Sequence, residues 1–327
     1  MRRMHPGRRA LLALPLLATP ALAQEAFPSR PLRFVVPFAA GGNTDAMARL
    51  FGAFITRKLG QPVVVENRTG AAGAIGTEAV VRARADGYTL LLGSPGSIVN
   101  GPLLTANPRY DTFADLTPVA MLGQVPMVII TRPALPMRNL AELVRYSREH
   151  TGGVSIGTSG IGGANHLPLE LFKAATGANL VHVPFRGGGA TLPDFLAGNL
   201  DGILIELSTV LDLHKDGRGR ILGVSAPARS PLVPEVPTFI EQGHAGFVAA
   251  SFVALFAPAG TPEAALRILQ AVMTEAMADP EVKTRMLGFG ADLATPAELT
   301  TPGMVAFLRA EREKAQRAIA IAGLKPE

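Results

Sequence analysis

The stretch LRFVVPFAAGGNTDAMARLFGAFITRKLGQPVVVE, Leu32 to Glu66, decides the fold class. Leu32-Arg33-Phe34-Val35-Val36 is a β-branched and aromatic run stopped by Pro37, which reads as a short strand. Beyond the Gly41-Gly42 turn, Met47, Leu50, Phe51 and Phe54 fall at i, i+3, i+4 and i+7. That spacing marks one face of a helix, which Gly60 ends. Val63-Val64-Val65 then returns as a second strand. Strand, glycine turn, amphipathic helix and strand in this order form a βαβ unit of a largely parallel sheet, and so an α/β protein.

The alternation continues outward from this unit. Gly70 to Gly76 leads into a helix through Ala79, Val80 and Ala83, and Tyr88 to Leu92 is a strand ending at Gly93-Ser94-Pro95-Gly96-Ser97. Past Pro118, the apolar run Met127 to Ile130 opens a second α/β series. Its helices are marked by Leu140, Leu143 and Val144 and by Leu167, Leu171, Phe172 and Ala175. Val154 to Ile156, Leu180 to Val183, Gly202 to Ile205 and Ile221 to Ser225 are its strands. A further apolar run, Phe252 to Phe256, precedes Thr261-Pro262, an N-cap with Pro at the first helical position. The helix behind it carries Leu266, Leu269, Val272 and Met273, and the tail from Met304 to Ala322 is helical. At roughly 100–200 residues per domain, 327 residues favour two domains.

The N-terminus explains the formal net charge of +5. Arg2, Arg3, Arg8 and Arg9 precede the apolar run Ala10 to Leu17, and Ala21-Leu22-Ala23 is a small-x-small cleavage site. Residues 1–23 therefore read as a secretory signal peptide, too short and too interrupted by Pro15 for a membrane span. Without it the chain is close to neutral, which removes the argument for nucleic-acid binding. The chain contains no cysteine. Disulfides, thiolate metal sites and a lipid-anchoring cysteine are thereby excluded, and core packing must hold the exported fold.

Three loops carry chemistry. Gly41-Gly42-Asn43-Thr44-Asp45 opens a helix after a strand, where free backbone N–H groups and the helix dipole favour a carboxylate or phosphate. Its polar side chains are equally good caps, and for Asp45 capping outweighs ligand contact. Gly157-Thr158-Ser159-Gly160-Ile161-Gly162-Gly163-Ala164-Asn165-His166 stands in the corresponding place of the second series, and Gly93 to Ser97 ends a strand of the first. An internal echo links the halves: Val36-Pro37-Phe38-Ala39-Ala40-Gly41-Gly42 and Val183-Pro184-Phe185-Arg186-Gly187-Gly188-Gly189 share V-P-F-x-x-G-G. One explanation is the general liking of strand-to-helix turns for glycine. The other is that two lobes present glycine loops to one shared cleft.

Enzyme signatures fare poorly. Gly157-Thr158-Ser159-Gly160 fails as a nucleophile elbow at Ile161, and neither a dinucleotide fingerprint nor a phosphate-binding P-loop is present. The six histidines contain no H-x-x-x-H pair, so no metal or cofactor is expected. What remains is a binding cleft without a catalytic set.

The sequence resembles the periplasmic solute-binding proteins of tripartite tricarboxylate transporters, the Bug (Bordetella uptake gene) family. The motifs that carry the likeness include Phe27-Pro28-Ser29-Arg30-Pro31, Gly41-Gly42-x-Thr44-Asp45, Gly60-Gln61-Pro62 through Arg68, and Ala85-Asp86-Gly87-Tyr88. Val181-His182-Val183-Pro184, Pro234-Glu235-Val236-Pro237-Thr238 and Ala257-Pro258-Ala259-Gly260-Thr261-Pro262 extend it over nearly all of the mature chain. The resemblance implies two α/β lobes of the type II-like, Venus-flytrap kind. The first lobe would take residues 24–125 and 251–327, and the second residues 126–250. It implies a small organic carboxylate held by Phe38, Gly42, Asn43, Thr44, Asp45 and Ser94 of the first lobe. Thr158, Ser159, His166, Phe185, Arg186 and Gly187 would add to the site from the second, with Glu206 nearby. Gly41 joins the set from the loop argument. Phe185-Arg186 stands where the family has Tyr-Lys, and no Trp occurs near Ser251. The expected protein is a monomeric periplasmic receptor delivering its ligand to a membrane permease. A ligand sensor for a signalling partner, or an exported hydrolase using Ser159 and His166, are the rival readings.

Overall fold

The computed structural model describes residues 27–326, so the signal-peptide reading at residues 1–23 lies outside the described residues. β1 (Leu32–Val36) is followed by α1 (Asn43–Leu59), and β2 (Val63–Asn67) returns parallel to β1. Gly60 stops α1 by entering the left-handed region at φ 68°, with its N–H bonded to Thr56 O, a conformation glycine adopts without strain. Phe34, Met47, Phe51 and Phe54 are buried together between helix and sheet. α2 (Ala74–Val81) leads to β3 (Thr89–Gly93), parallel to β1 on its other side. The short turns α3 (Gly101–Leu104) and α4 (Thr112–Asp115) connect onward to β4 (Leu116–Thr131).

The second series comprises α5 (Leu140–Glu149), β5 (Val154–Thr158), α6 (His166–Thr176), β6 (Leu180–Pro184), α7 (Leu192–Ala197), β7 (Gly202–Glu206), α8 (Leu207–Lys215) and β8 (Arg220–Val224). β9 (Ala250–Pro258), α9 (Glu263–Ala278), α10 (Pro280–Gly288), β10 (Asp292–Leu293) and α11 (Thr301–Ala322) complete the chain.

One strand joins the halves. From Leu116 to Pro126, β4 pairs antiparallel with β9, which also pairs with β3; from Met127 it pairs with β7 and β8. The first sheet thus runs β2-β1-β3-β9-β4 and the second β8-β4-β7-β5-β6. The partner exchange occurs at Pro126, which lacks the N–H that would continue a ladder. Apolar patterning marks only Met127 to Ile130 of this strand, because Pro118, Gly123 and Pro126 interrupt the rest. The result is a two-lobed α/β fold whose largest buried cluster runs through β4, with Phe34 and Leu92 on one side and Ile203 and Val236 on the other.

The helices differ from the sequence expectation at the start of α9, and α7, α8 and α10 are helices that the periodicity did not mark. Thr261 does not cap α9: its hydroxyl donates to Pro258 O at 2.8 Å, and Pro262 holds the N-cap position. α10 is an additional helix, begun by Asp279-Pro280, an N-cap with proline at N1. The Asp279 carboxylate accepts the N–H groups of Glu281 and Val282 at 2.9 and 3.0 Å.

Candidate functional site

The loops after β1, β3, β5, β6 and β7 meet between the lobes, at the carboxyl ends of the parallel strands where open α/β sheets bind ligands. In the first lobe, Gly42 occupies the N-cap of α1 with no side-chain cap, and the first intrahelical bond runs from Ala46 N–H to Gly42 O at 3.0 Å. The N–H groups of Asn43, Thr44 and Asp45 therefore have no intrahelical acceptor. All three residues are buried.

Asp45 anchors this loop. Its carboxylate accepts the Gly41 N–H at 3.1 Å, Nε and Nη2 of Arg49 at 3.0 and 2.9 Å, and Nδ2 of Asn67 at 3.0 Å. Asn67 also donates to Phe38 O, tying β2 to the loop. Burial alone would raise the Asp45 carboxyl, but Arg49, Gly41 and Asn67 together hold it below the usual carboxylate range. With both oxygens engaged, Asp45 shapes the loop. Asn43 differs: its Oδ1 accepts from the Ser208 hydroxyl at 2.9 Å, while its Nδ2 is buried without a hydrogen-bond partner among the described residues.

In the second lobe, Ser159 N–H and Oγ both donate to Asn165 Oδ1, at 2.8 and 2.7 Å, and Asn165 Nδ2 is left buried and unpartnered among the described residues. Thr158 Oγ1 accepts the Gly160 N–H and lies 2.6 Å from His182 Nε2. The two echo loops face each other directly. Ala39 N–H donates to Arg186 O at 3.1 Å. A Cβ on Gly189 would stand 2.2 Å from Ala40 O, and one on Gly187 would stand 2.7 Å from Ala39 N. The lobes are closed, with glycine backbone against glycine backbone.

Between them lies a cavity with about 20 Å³ open to the centre of a water molecule, room for roughly one water. Phe38, Gly42, Asn43, Thr44, Asp45, Ser94, Ser159 and Glu206 line it, all of them expected from the sequence, together with Ala39, Ala164 and Gly188, which are not. Those three contribute backbone or a small side chain, and no residue-type signal distinguishes them. Gly41, Thr158, His166, Phe185, Arg186 and Gly187 are not part of the lining. The Arg186 side chain is exposed and forms no ion pair with another described residue; its carbonyl makes the interlobe bond.

Glu206 ends β7 and is 7% exposed. Burial pushes its carboxyl up, opposed by its own backbone N–H and by the nearby Ser251 hydroxyl, whose oxygen lies outside hydrogen-bond geometry. Among the described residues, no Lys or Arg lines the cavity. The site therefore offers neutral donors, a compensated carboxylate and an acid biased toward its neutral form.

The rival chemistries meet specific obstacles. Gly153-Val154-Ser155-Ile156-Gly157 matches G-x-S-x-G in full, yet it too fails as an elbow. Ser155 lies within β5, not at a strand-to-helix turn, and its hydroxyl donates to Asp201 at 2.9 Å. The Ser159 hydroxyl is committed to Asn165. His166, Glu170 and His182 place donor atoms within 4.8 Å of one another, a grouping invisible in sequence because His182 comes from β6. Their chemistry does not suit a cation. His166 Nδ1 accepts the Gly162 N–H, which leaves the ring proton on Nε2, while His182 Nε2 engages Thr158 and both Glu170 oxygens lie 2.9 Å from Lys173 Nζ. The two rings stack with centroids 4.4 Å apart, and burial, then the neighbouring His166 and Lys173, push His182 down to about 4.

Residues 47–324 match the tripartite tricarboxylate transporter family receptor. Protein BugT of Bordetella pertussis is 36% identical over 299 residues, covering 91% of this chain and 90% of that protein. The periplasmic binding protein BugD superposes with a TM-score of 0.88 at 33% identity, over 92% of this chain and all of BugD. R. palustris Rpa4515, solved with adipate, gives a TM-score of 0.88 at 30% identity over the same shares. Fold, loop placement and sequence thus agree: the chain belongs to the tripartite tricarboxylate transporter receptor family.

Proposed function

We propose that this protein is a non-enzymatic periplasmic receptor, exported by residues 1–23. It captures a small carboxylate between lobes 24–125 plus 251–327 and 126–250, and delivers it as a monomer to a membrane permease. The observation that carries this reading is the set of neutral donors at the start of α1. Asn43, Thr44 and Asp45 have no intrahelical acceptor for their N–H groups, and Asn43 Nδ2 is a buried amide donor without a partner among the described residues. An oxyanion satisfies such donors and gains from the helix dipole. The adipate held by Rpa4515 supports a carboxylate as the ligand class.

The charge balance refines the class. One carboxylate suits the α1 loop, whereas every further charge enters a cavity without a lining cation and close to Glu206. Monocarboxylates should bind tighter than dicarboxylates, and citrate least. Because burial raises Glu206, its neutral form at low pH accepts an anion nearby and its ionised form at high pH repels one. Affinity should fall as pH rises through the Glu206 titration, which burial moves above the ordinary carboxylate range, and Glu206→Gln should remove that dependence. Calorimetry with butyrate, succinate and citrate across a pH series, with mass analysis of the released ligand, tests this. Tightest binding by citrate would overturn the charge argument, and recovery of chemically altered ligand would overturn the receptor reading.

A further inference from the structure

We infer that the apolar body of the carboxylate ligand is housed in a second interlobe recess, which makes aryl- or alkyl-bearing monocarboxylates the preferred ligands. This rests on the reading that the α1 loop holds the carboxylate. The closed cavity at that loop has about 20 Å³, enough for a head group's displaced water and too little for a carbon skeleton. Beside it lies a recess of about 290 Å³, against roughly 150 Å³ for a cavity that admits benzene.

The two spaces adjoin. Ala164 lines both; Ser94 lines the first, and its neighbour Pro95 lines the second. The partition between them is backbone from opposite lobes: Gly96 packs so closely that a Cβ on it would stand 3.1 Å from Ala164 N and from the Gly163 α-carbon. A long 3.4 Å bond from Asn100 Nδ2 to Gly163 O reinforces it weakly. A partition shared between lobes widens when the lobes part by a small angle, and an elongated ligand would then run through it.

The recess is built for an uncharged body. Val99, Leu167, Leu171 and Phe247 supply apolar surface, and the charges on its wall, Lys314 and Glu311, neutralise each other at 2.7 Å. Both lobes contribute, the first through α11 and the second through α6 and Val248, so a body seated there touches both at once.

Butyrate and 4-phenylbutyrate share a head group and chain and differ by one ring, which makes them the probes. Phenylbutyrate should bind the wild-type protein at least tenfold tighter than butyrate. Ala318→Phe on α11, which fills the recess far from the α1 loop, should abolish that advantage and leave butyrate within twofold. Val248→Glu should do the same from the opposite lobe, at a half-exposed position that the core does not need. Retention of the full phenyl advantage in both folded variants would overturn the inference. So would non-competitive binding of neutral 4-phenyl-1-butanol alongside butyrate, which would make the recess a separate effector site. Failure of the wild-type protein to bind either carboxylate would instead overturn the receptor reading beneath it.

Discussion

The loops Val36 to Gly42 and Val183 to Gly189 have the same V-P-F-x-x-G-G pattern and meet across the cleft, yet each contributes something different. The first feeds the 17-residue α1, whose dipole and unpaired N–H groups face the cavity, and Asp45, Arg49 and Asn67 clamp it in place. The second feeds only a short 3-10 turn, Gly188–Thr191, and the six-residue α7. It turns a carbonyl, Arg186 O, toward the first lobe, and its glycines present bare backbone. One loop is a donor-bearing face and the other a closing face. The difference lies in the chain beyond the glycines: a long helix with an N3 carboxylate and its partners in one case, a turn without them in the other.

Breaking the closing face should have the largest effect. Gly189 is not in a positive-φ conformation, so alanine fits its backbone, but the new Cβ would stand 2.2 Å from Ala40 O and 2.9 Å from Gly42 N in the closed state. Gly189→Ala should therefore cut ligand affinity by about 100-fold, roughly 2.7 kcal/mol, with unfolding of the ligand-free protein unchanged or slightly stabilised. Calorimetry and thermal melts on the same preparation check both halves. A parallel loss of stability would show that Gly189 serves the fold of its own lobe.

Breaking the clamp should have a middling effect of a different kind. Asp45→Asn keeps an acceptor for Gly41 N–H but loses the bidentate pair with the half-exposed Arg49, and should cost about 1 kcal/mol of stability at pH 7. Because the folded-state Asp45 carboxyl lies below its ordinary value, this contribution is present above the unfolded value near 3.8 and fades as pH falls through the folded one. Denaturant curves for the two proteins should therefore converge in acid. Lost affinity at unchanged stability would instead make Asp45 a ligand contact. The smallest effect belongs to Arg186→Ala: the side chain is exposed and only its carbonyl joins the lobes, so affinities for butyrate and succinate should shift by less than twofold. A tenfold loss confined to succinate would place the guanidinium on the far carboxylate.

Much of this was legible before folding. β1, the course of α1 to Gly60, and the parallel return at Val63 are dictated by side-chain periodicity and glycine, because both act over a few residues. The importance of the two glycine loops could also be read, though not their division of roles. The interruptions at Pro118, Gly123 and Pro126 hid β4, since a strand shared by two sheets obeys the pattern of neither alone.

The sequence by itself determined the α/β class, the absence of disulfides, the near-neutral charge of residues 24–327 and the strand-to-helix loops that hold the donors; each depends on composition or on neighbours along the chain. Tertiary structure alone decided that Asn67 completes the saturation of Asp45, whose i,i+4 pair with Arg49 is local to α1, and that Glu206 is buried against the cleft. It alone set the Arg186 backbone, not its charge, against the first lobe, and placed a recess behind Ala164. Hydrogen-bond saturation, desolvation and void space are properties of atoms brought together from distant positions, and no local pattern of residue types encodes them.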